Sequence, residues 1–364
     1  MPKLVITLGT RPEAIKLAPV IRHLRQDDRF QVWVITTGQH RQMVDMVLNL
    51  FQIQPDFDLD IMRPRQTLTE ITTQSLLGLE PLLQKLQPDF LLVQGDTTTA
   101  MAGALAGFYQ KIPVGHVEAG LRTDDLFNPY PEEANRRLIS QIAQLHFAPT
   151  PHAVSNLHRS GISKHIFCTG NTVIDALLYV AESAVPLSLV DWQKYRVILA
   201  TVHRRESWGA PLRDIAQAWL EILDRFPDVA LLLPLHLNPI VREPLQELLG
   251  NHDRVYLTEP LDYHQLVGAL KHCYLVMTDS GGLQEEAPSL KKPVLVLRSA
   301  TERMEAIEAG TARLVGTNKE SIVVHAVELL TDSKAYEQMT SGKNPYGDGQ
   351  ASQRIGEILL KSME

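Results

Sequence analysis

The sequence lacks the features that mark several protein classes. Its 364 residues include only two cysteines, Cys168 and Cys273, with no C-x-x-C spacing, so neither a disulfide framework nor a thiolate metal cluster is on offer. A reducing compartment fits that usage. No apolar run approaches the length of a membrane span: the runs at Leu91–Val93 and Ala230–Leu233 are short and bounded by turn residues, and read as buried strands. The opening segment, MPKLVITLGTRPEAIK, carries one lysine and an apolar run of about six residues, shorter than the core of a signal peptide. The expectation is a cytoplasmic protein with no membrane partner.

A strongly basic or strongly acidic balance is also absent. Thirty-five Lys and Arg oppose 42 Asp and Glu, a formal charge of -7, and neither sign gathers into a block. A general nucleic-acid binder should be more basic, so no nucleic-acid partner is expected. An anionic ligand would have to be met by a few placed cations and by helix N-termini. No G-x-G-x-x-G follows a strand and no G-x-x-x-x-G-K-[ST] occurs; the nearest match, Gly347 and Gly349, follows Asn344-Pro345-Tyr346, which is not a strand. Nicotinamide redox chemistry and ATP-type phosphoryl transfer lose their main support, and no cofactor is expected. Thirteen histidines are present, but no H-x-x-x-H sits in a plausible metal helix, so no metal is expected.

What is present is an ordinary globular make-up, 44% hydrophobic and 21% charged, and a length that predicts two domains. Short β-rich runs alternate with helical stretches: strands at Leu4–Leu8, Val32–Thr36, Phe90–Gln94, Pro113–His116, Leu145–Ala148 and Ile166–Cys168, with helices near Ala14–Arg25, Arg41–Leu50, Leu68–Leu86, Thr98–Tyr109 and Glu132–Ala143. Periodicity lapses around Ala181–Trp192, marking a linker. A second series of strands follows at Val197–Thr201, Ala230–Leu233, Val255–Leu257, Tyr274–Thr278 and Val294–Leu297. This predicts an α/β protein with two doubly wound, Rossmann-like domains facing a cleft, over residues 1–185 and 186–364, with function concentrated just after each strand. The turn-rich NPYGDGQAS precedes a final helix, expected to pack back on the first domain.

The strand ends carry the chemistry. Gly9-Thr10-Arg11-Pro12-Glu13 leads into a helix and would project Arg11 from its start, an anion-site geometry that a surface turn with a solvated Arg would also satisfy. Asp279-Ser280-Gly281-Gly282 leads into another, where Ser280 can cap the helix and its N–H groups can face a diphosphate, with Glu286 one turn inside to meet a ribose diol. A capping motif whose Glu286 only complements the helix dipole is the plain alternative. Asp96 and Glu118 end successive strands, and Glu132 opens a helix. Three carboxylates at one rim can supply an acid and a base near neutrality, although Asp96 and Glu132 taken singly also read as helix-terminal residues. His203 and His236 each lie just past a strand, placed either to meet a phosphate or to serve as structural hydrogen-bonding groups.

Taken in order, GTRPEAIK, GQHRQM, QGDTTT, HVEAGLRT, PEEANR, THRRE, HLNP, TDSGGLQEEAPSL, KPVLVLR, TERMEA, AGTARLVG and NPYGDGQAS closely resemble the bacterial non-hydrolysing UDP-N-acetylglucosamine 2-epimerases over nearly the whole chain. The resemblance implies a glycosyltransferase-B-like pair of domains and reversible conversion of UDP-GlcNAc to UDP-ManNAc, feeding surface-polysaccharide precursors, by a homodimer whose ligands are UDP-N-acetylglucosamine and UDP. It also implies site residues: Arg11, Lys16, Ser280, Gly281, Gly282, Glu286 and Arg303 on the substrate, and Asp96, Glu118, Glu132 and His203 in catalysis. A second, activating UDP-GlcNAc would fall on Gln39, Gln42, Arg65, Glu132, Arg204 and His236. Leu261 and Leu266 stand where some relatives have other residues against the uracil. Competing readings are a hydrolysing relative that releases ManNAc and UDP, a glycosyltransferase of the same layout, and a catalytically idle nucleotide-sugar sensor; the last would need none of the acidic residues.

Overall fold

The computed structural model describes residues 1–38, 41–63, 65–123 and 125–363. The chain forms two compact units, one of residues Met1–Ala176 with Tyr346–Glu364 and the other of residues Leu177–Pro345. The break thus falls inside a helix, ahead of the aperiodic segment at 181–192 that the sequence marks as a linker.

In the first unit, strands and helices alternate as β1 (Lys3–Leu8), α1 (Arg11–Gln26), β2 (Gln31–Thr36), α2 (Arg41–Leu50), β3 (Phe57–Asp58), α3 (Leu68–Leu86) and β4 (Phe90–Gln94). Next come α4 (Thr98–Tyr109), β5 (Val114–Val117), α5 (Glu132–Ile142), β6 (Leu145–Ala148), α6 (Pro151–Arg159), β7 (Ile166–Cys168) and α7 (Thr172–Ser183). The seven strands are parallel and ordered β3-β2-β1-β4-β5-β6-β7. The chain winds outward from β1 to β3, then restarts on the other side of β1 with β4. The crevice at such a reversal, beyond the carboxyl ends of β1 and β4, is where doubly wound sheets bind ligands. Gly9 to Arg11 and Gly95 to Asp96 meet there.

The second unit repeats the plan with β8 (Arg196–Thr201), α8 (Ala210–Arg225), β9 (Val229–Pro234), α9 (Pro239–Leu249), β10 (Val255–Thr258), α10 (Tyr263–His272) and β11 (Leu275–Thr278). It continues through α11 (Gly281–Glu286), β12 (Val294–Val296), α12 (Met304–Glu308), β13 (Ala312–Leu314), α13 (Lys319–Thr331) and α14 (Ser333–Ser341). Its six parallel strands run β10-β9-β8-β11-β12-β13, so the reversal lies between β8 and β11. Here the flanking loops carry His203 and Ser280.

Both sheets are covered on both faces, as parallel sheets require. Leu4, Val5 and Ile6 of β1 and Leu231 to Leu233 of β9 are all buried, whichever way they point. On one side of the first sheet, α4 is rich in alanine and glycine because it lies close to the strands: a Cβ on Gly103 would stand 2.9 Å from Thr7 Oγ1, and one on Gly107 2.9 Å from Leu91 Cδ2. In the second unit, Trp219 of α8 centres a cluster with Ile198, Leu231 and Leu295.

The final helix, α15 (Ala351–Lys361), belongs to the first unit and packs on α1. Asp175 of α7 accepts the backbone N–H groups of Ser352 (2.7 Å) and Ala351 (3.2 Å), and Asn171 N donates to Tyr346 O (2.7 Å). These bonds bind the returning segment to the strand-end loops. Among the described residues no helix is long and apolar enough to cross a membrane.

Gly120 closes the loop after β5. Its φ is +97°, and a Cβ there would lie 2.3 Å from Ala153 O. Gly120→Ala therefore combines a left-handed backbone with a clash against rigid main chain, and should destabilise the first unit by about 2–4 kcal/mol. Thermal or urea unfolding measures this; an unchanged midpoint would contradict the packing described for that loop.

Candidate active site

At the reversal of the first sheet, a set of buried carboxylates fixes the loops. Glu13, three residues after Thr10, turns back to the helix start: its Oε2 accepts Thr10 N (2.8 Å) and Gly9 N (3.1 Å), and its Oε1 accepts the Thr97 hydroxyl (2.9 Å). It is fully buried, and burial raises its pKa to about 7 against the opposing pull of those hydrogen bonds. Glu13 was not among the residues expected to matter, although a Thr followed three positions later by Glu is a legible capping signal. It sets the start of α1, from which Arg11 and Lys16 project. Arg11 is half-buried and has no ion-pair or hydrogen-bond partner among the described residues.

Glu118 follows β5 directly, with φ +64°. Its side chain is buried and held by the Lys16 ammonium and the Gln94 amide, and by Asn171 Nδ2 at 3.2 Å. Lys16, expected on the substrate, is thus committed to a carboxylate in this structure. Asn171 was missed: it lies 53 residues away in sequence and no local pattern marks it.

Asp96 lies beyond Gly95, which takes φ +71°. The Gly95 carbonyl meets His116 Nε2 at 2.7 Å. Burial pushes His116 down to about 4, so the imidazole is neutral near pH 7 and its Nε2–H donates to that carbonyl. The Asp96 carboxylate is clasped by Arg136 Nε (2.8 Å) and Nη2 (2.7 Å), and its carbonyl accepts Asn135 Nδ2 (2.9 Å). Arg136 also reaches Glu133 (3.2 Å), a fully buried carboxylate that takes Thr123 N (3.0 Å) and Arg137 Nε (2.8 Å) as well. Its neighbour Glu132 opens α5, and Glu132 Oε2 is enclosed without a hydrogen-bond partner. A shielded carboxylate oxygen with nothing to accept from is a costly arrangement, and it marks a place for a donor.

In the second unit, Asp279 organises the reversal. It is fully buried, and its Oδ2 accepts His203 N (2.8 Å), Arg204 N (2.8 Å) and Ser207 Oγ (3.2 Å). Its Oδ1 lies 2.9 Å from His203 Nδ1. Burial alone would raise this carboxyl, but the His203 ring and the two backbone N–H groups outweigh it and hold it below the usual range. With Nδ1 turned to Asp279, His203 presents Nε2 outward. The ring stacks on His236 with centroids 5.9 Å apart, so the two strand-end histidines are brought together as a pair. Asp279 was passed over in the sequence in favour of Ser280, although it directly follows a buried strand.

Ser280, Gly281, Gly282, Glu286 and Arg303 also come together. Ser280 occupies the N-cap of α11 but its side chain makes no cap bond, contrary to the capping role expected from sequence; its N–H is instead taken by Thr278 Oγ1 (2.9 Å). The free hydroxyl stands near Gly282, 3.8 Å from where a Cβ would be, and the Arg303 guanidinium lies 3.5 Å from where one would be on Gly281. Arg303 is fixed by Glu285 (2.7 Å) and Glu302 (3.4 Å). Glu302 is held at about 2: burial opposes this, but Arg303 and Arg298 prevail. Glu286 is buried, with Oε1 accepting the Tyr263 hydroxyl (2.8 Å). A backbone without side chains beside a hydroxyl and a fixed guanidinium suits an anionic oxygen cluster, and a buried carboxylate nearby suits a hydroxyl-bearing ligand.

Of the residues expected at a second ligand site, Gln39 lies outside the described residues. Gln42 is the second residue of α2 and is exposed, and Arg65 is exposed with φ +58°. Arg204 reaches Glu302 (3.7 Å) but leaves its shielded Nε without a partner, and His236 is exposed. Among the described residues no group of three or more His, Cys, Asp or Glu could hold a metal ion.

The buried Glu13 has a consequence for pH. Because its folded pKa lies above its usual 4.5, the folded state holds a proton that the unfolded chain gives up. Stability from this group is full below pH 4.5 and falls as pH rises to about 7. Glu13→Gln keeps an acceptor for Gly9 and Thr10 without the titration, and should flatten that decline by up to about 3 kcal/mol. Unfolding midpoints of both proteins across this range test it; parallel curves would rule it out.

Comparison with known proteins agrees with this geometry. A family model described as UDP-N-acetylglucosamine 2-epimerase matches residues 22–360. The UDP-N-acetylglucosamine 2-epimerase of Yersinia pestis is 53% identical, with 98% of each chain covered. The structure of a UDP-N-acetylglucosamine 2-epimerase from Listeria monocytogenes superposes with a TM-score of 0.95 at 45% identity, covering 99% of this chain and 96% of that one. That of the UDP-GlcNAc 2-epimerase from Neisseria meningitidis bound to UDP-GlcNAc gives 0.88 at 47% identity, covering 99% and 100%. With likeness of this extent along the whole chain, and a glycosyltransferase-B-like pair of α/β units to match, the protein belongs to the UDP-N-acetylglucosamine 2-epimerase family.

Proposed function

We propose that the protein interconverts UDP-N-acetylglucosamine and UDP-N-acetylmannosamine by eliminating and re-adding UDP. The observation that carries this reading is the 53% identity over 98% of the chain to an epimerase, with the motif residues standing at the strand ends where a doubly wound fold does its chemistry.

The chemistry starts from a difficulty. The C2 proton beside the acetamido group is not acidic, so it cannot be removed directly. As the C1–O bond to UDP breaks, the leaving diphosphate takes the bonding pair and C1 gains oxocarbenium character. That polarises the C2–H bond and lets a carboxylate take the proton, leaving 2-acetamidoglucal. Protonation of C2 on the opposite face, with return of UDP to C1, gives the epimer. Two acid/base groups in different positions are needed. Asp96, Glu118 and Glu132 divide these transfers in our reading. It is supported by the anchoring of Asp96 and Glu118 through Arg136, Lys16 and Gln94, and by the unpartnered oxygen of Glu132.

The departing diphosphate is stabilised by Arg11, His203 and the backbone N–H groups after Ser280, with Lys16 and Arg303 as further cations, and Glu286 takes the ribose hydroxyls. Each such donor typically lowers the barrier by about 3 kcal/mol. The Asp279 contact supports the assignment of His203, since it leaves the outer ring nitrogen for the ligand. A second UDP-GlcNAc, bound by Gln39, Gln42, Arg65, Glu132, Arg204 and His236, activates the enzyme in this proposal; the unpartnered Arg204 Nε supports it. The working form is a cytoplasmic homodimer supplying polysaccharide precursors. Exposed Leu77, Phe108 and Tyr109 on α3 and α4 favour self-association, and the two free cysteines favour a reducing compartment.

Incubation with UDP-GlcNAc in D2O should yield UDP-ManNAc deuterated at C2, followed by NMR. Free ManNAc with UDP would instead identify a hydrolase, and epimer that kept its original hydrogen would overturn the elimination route. Asp96→Asn, Glu118→Gln and Glu132→Gln should each lower kcat by about a hundredfold or more. Near-native turnover in all three variants would refute the division of proton transfers.

A further inference from the structure

The first unit carries a basic groove that the epimerase reading does not use. It lies along α5 and α6, has a volume of about 660 Å³, and is lined by Arg122, Arg137, Arg159 and His152 among other residues, with no Asp or Glu among the described residues of its wall. It shares no residue with the proposed substrate or activator positions.

Its cations are under-compensated. Arg122 is half-buried, yet among the described residues its guanidinium donates only to neutral oxygens: Leu121 O (2.7 Å), Ser140 Oγ (2.7 Å) and Ser160 Oγ (3.2 Å). Burial pulls it below the usual guanidinium range, Glu133 opposes this, and Arg136 and Arg137 add to it. Arg159 likewise donates to a neutral group, the Asn156 side-chain oxygen. Arg137 does meet Glu133, but that carboxylate is shared with Arg136 and the Thr123 N–H. Three guanidinium groups, of Arg122, Arg136 and Arg137, thus share the one carboxylate of Glu133, and only Arg136 of these also has Asp96 among the described residues.

A guanidinium withdrawn from water is costly when only neutral oxygens surround it, and an oxyanion is the partner its fork-shaped donors match best. Arg122 and Arg159 converge on the Asn156–Ser160 turn at the end of α6. The groove is larger than a bare phosphate needs and within the range of small-molecule sites. Leu138, 52% exposed, gives it an apolar wall. The chain's net charge of -7 disfavours an extended polyanion as the occupant.

We propose that this groove binds a phosphoryl oxyanion through Arg122 and Arg159, carried on a small molecule of sugar-phosphate size. Titration calorimetry of the full chain with glucose 1-phosphate and, separately, inorganic phosphate at fixed ionic strength tests it. Saturable binding is expected, weakened roughly ten- to a hundredfold by Arg159→Glu. Arg159 is exposed, so this variant should fold normally, which circular dichroism checks. Arg122→Lys keeps the charge but loses the fork, and should also weaken binding. Tighter binding of glucose 1-phosphate identifies a phosphorylated small molecule as the occupant, whereas equal binding identifies the free anion. Binding that neither variant changes, or no saturable binding of either probe, overturns the proposal; anions held by the Ser280 loop would be indifferent to both substitutions.

Discussion

The structure depends on carboxylates taken out of water at the carboxyl ends of parallel strands. A buried carboxylate is tolerable only when its oxygens are met by donors, and in this protein the donors come from loops that the sequence holds far apart. Glu13 joins the start of α1 to Thr97, 84 residues on, and Glu118 joins Lys16 from 102 residues away. Asp279 gathers two backbone N–H groups and a hydroxyl from the loop after β8. Each is a knot at the carboxyl ends of the strands, and the same knots fix the loops that carry Arg11 and His203.

This explains a division of labour between neighbouring residues. Glu133 is satisfied by Thr123, Arg136 and Arg137, while adjacent Glu132 keeps an oxygen without a partner. Asp279 Oδ2 is saturated by three donors within the fold, while Ser280 beside it leaves its hydroxyl uncapped. In each pair, one residue anchors the fold and the next keeps a polar atom that the fold does not use. Preorganisation of this kind would avoid a large rearrangement if charge develops on a leaving diphosphate as proposed above.

Much of the fold was legible from periodicity. The strands from β4 to β7 and helices α2, α3 and α4 fall where the alternation of apolar runs and helical stretches puts them, because long, strongly patterned segments overdetermine their own conformation. Elements that escaped are short or atypical: β3 is two residues long, β13 three, and α6 and α7 lie where strand and turn signals are dense. The unit boundary escaped too. The loss of periodicity at 181–192 is a local property, whereas the division at Ala176 depends on what α7 and α15 pack against.

The site divides along the same line. The strand-end positions of Arg11, Asp96, Glu118, His203 and the Ser280–Gly282 segment could be read from the sequence, because each directly follows a patterned apolar run. What the sequence by itself determined was the two-sheet plan, the rim positions and the family. Only the tertiary structure decided that Lys16 is tied to Glu118, that Asn171 completes that carboxylate's shell, that Asp279 orients His203, and that Arg122 lies half-buried with neutral oxygens as its hydrogen-bond acceptors among the described residues. Hydrogen bonds and ion pairs of that kind form between elements brought together by strand order, and no local pattern encodes which distant donor will satisfy a given buried acceptor.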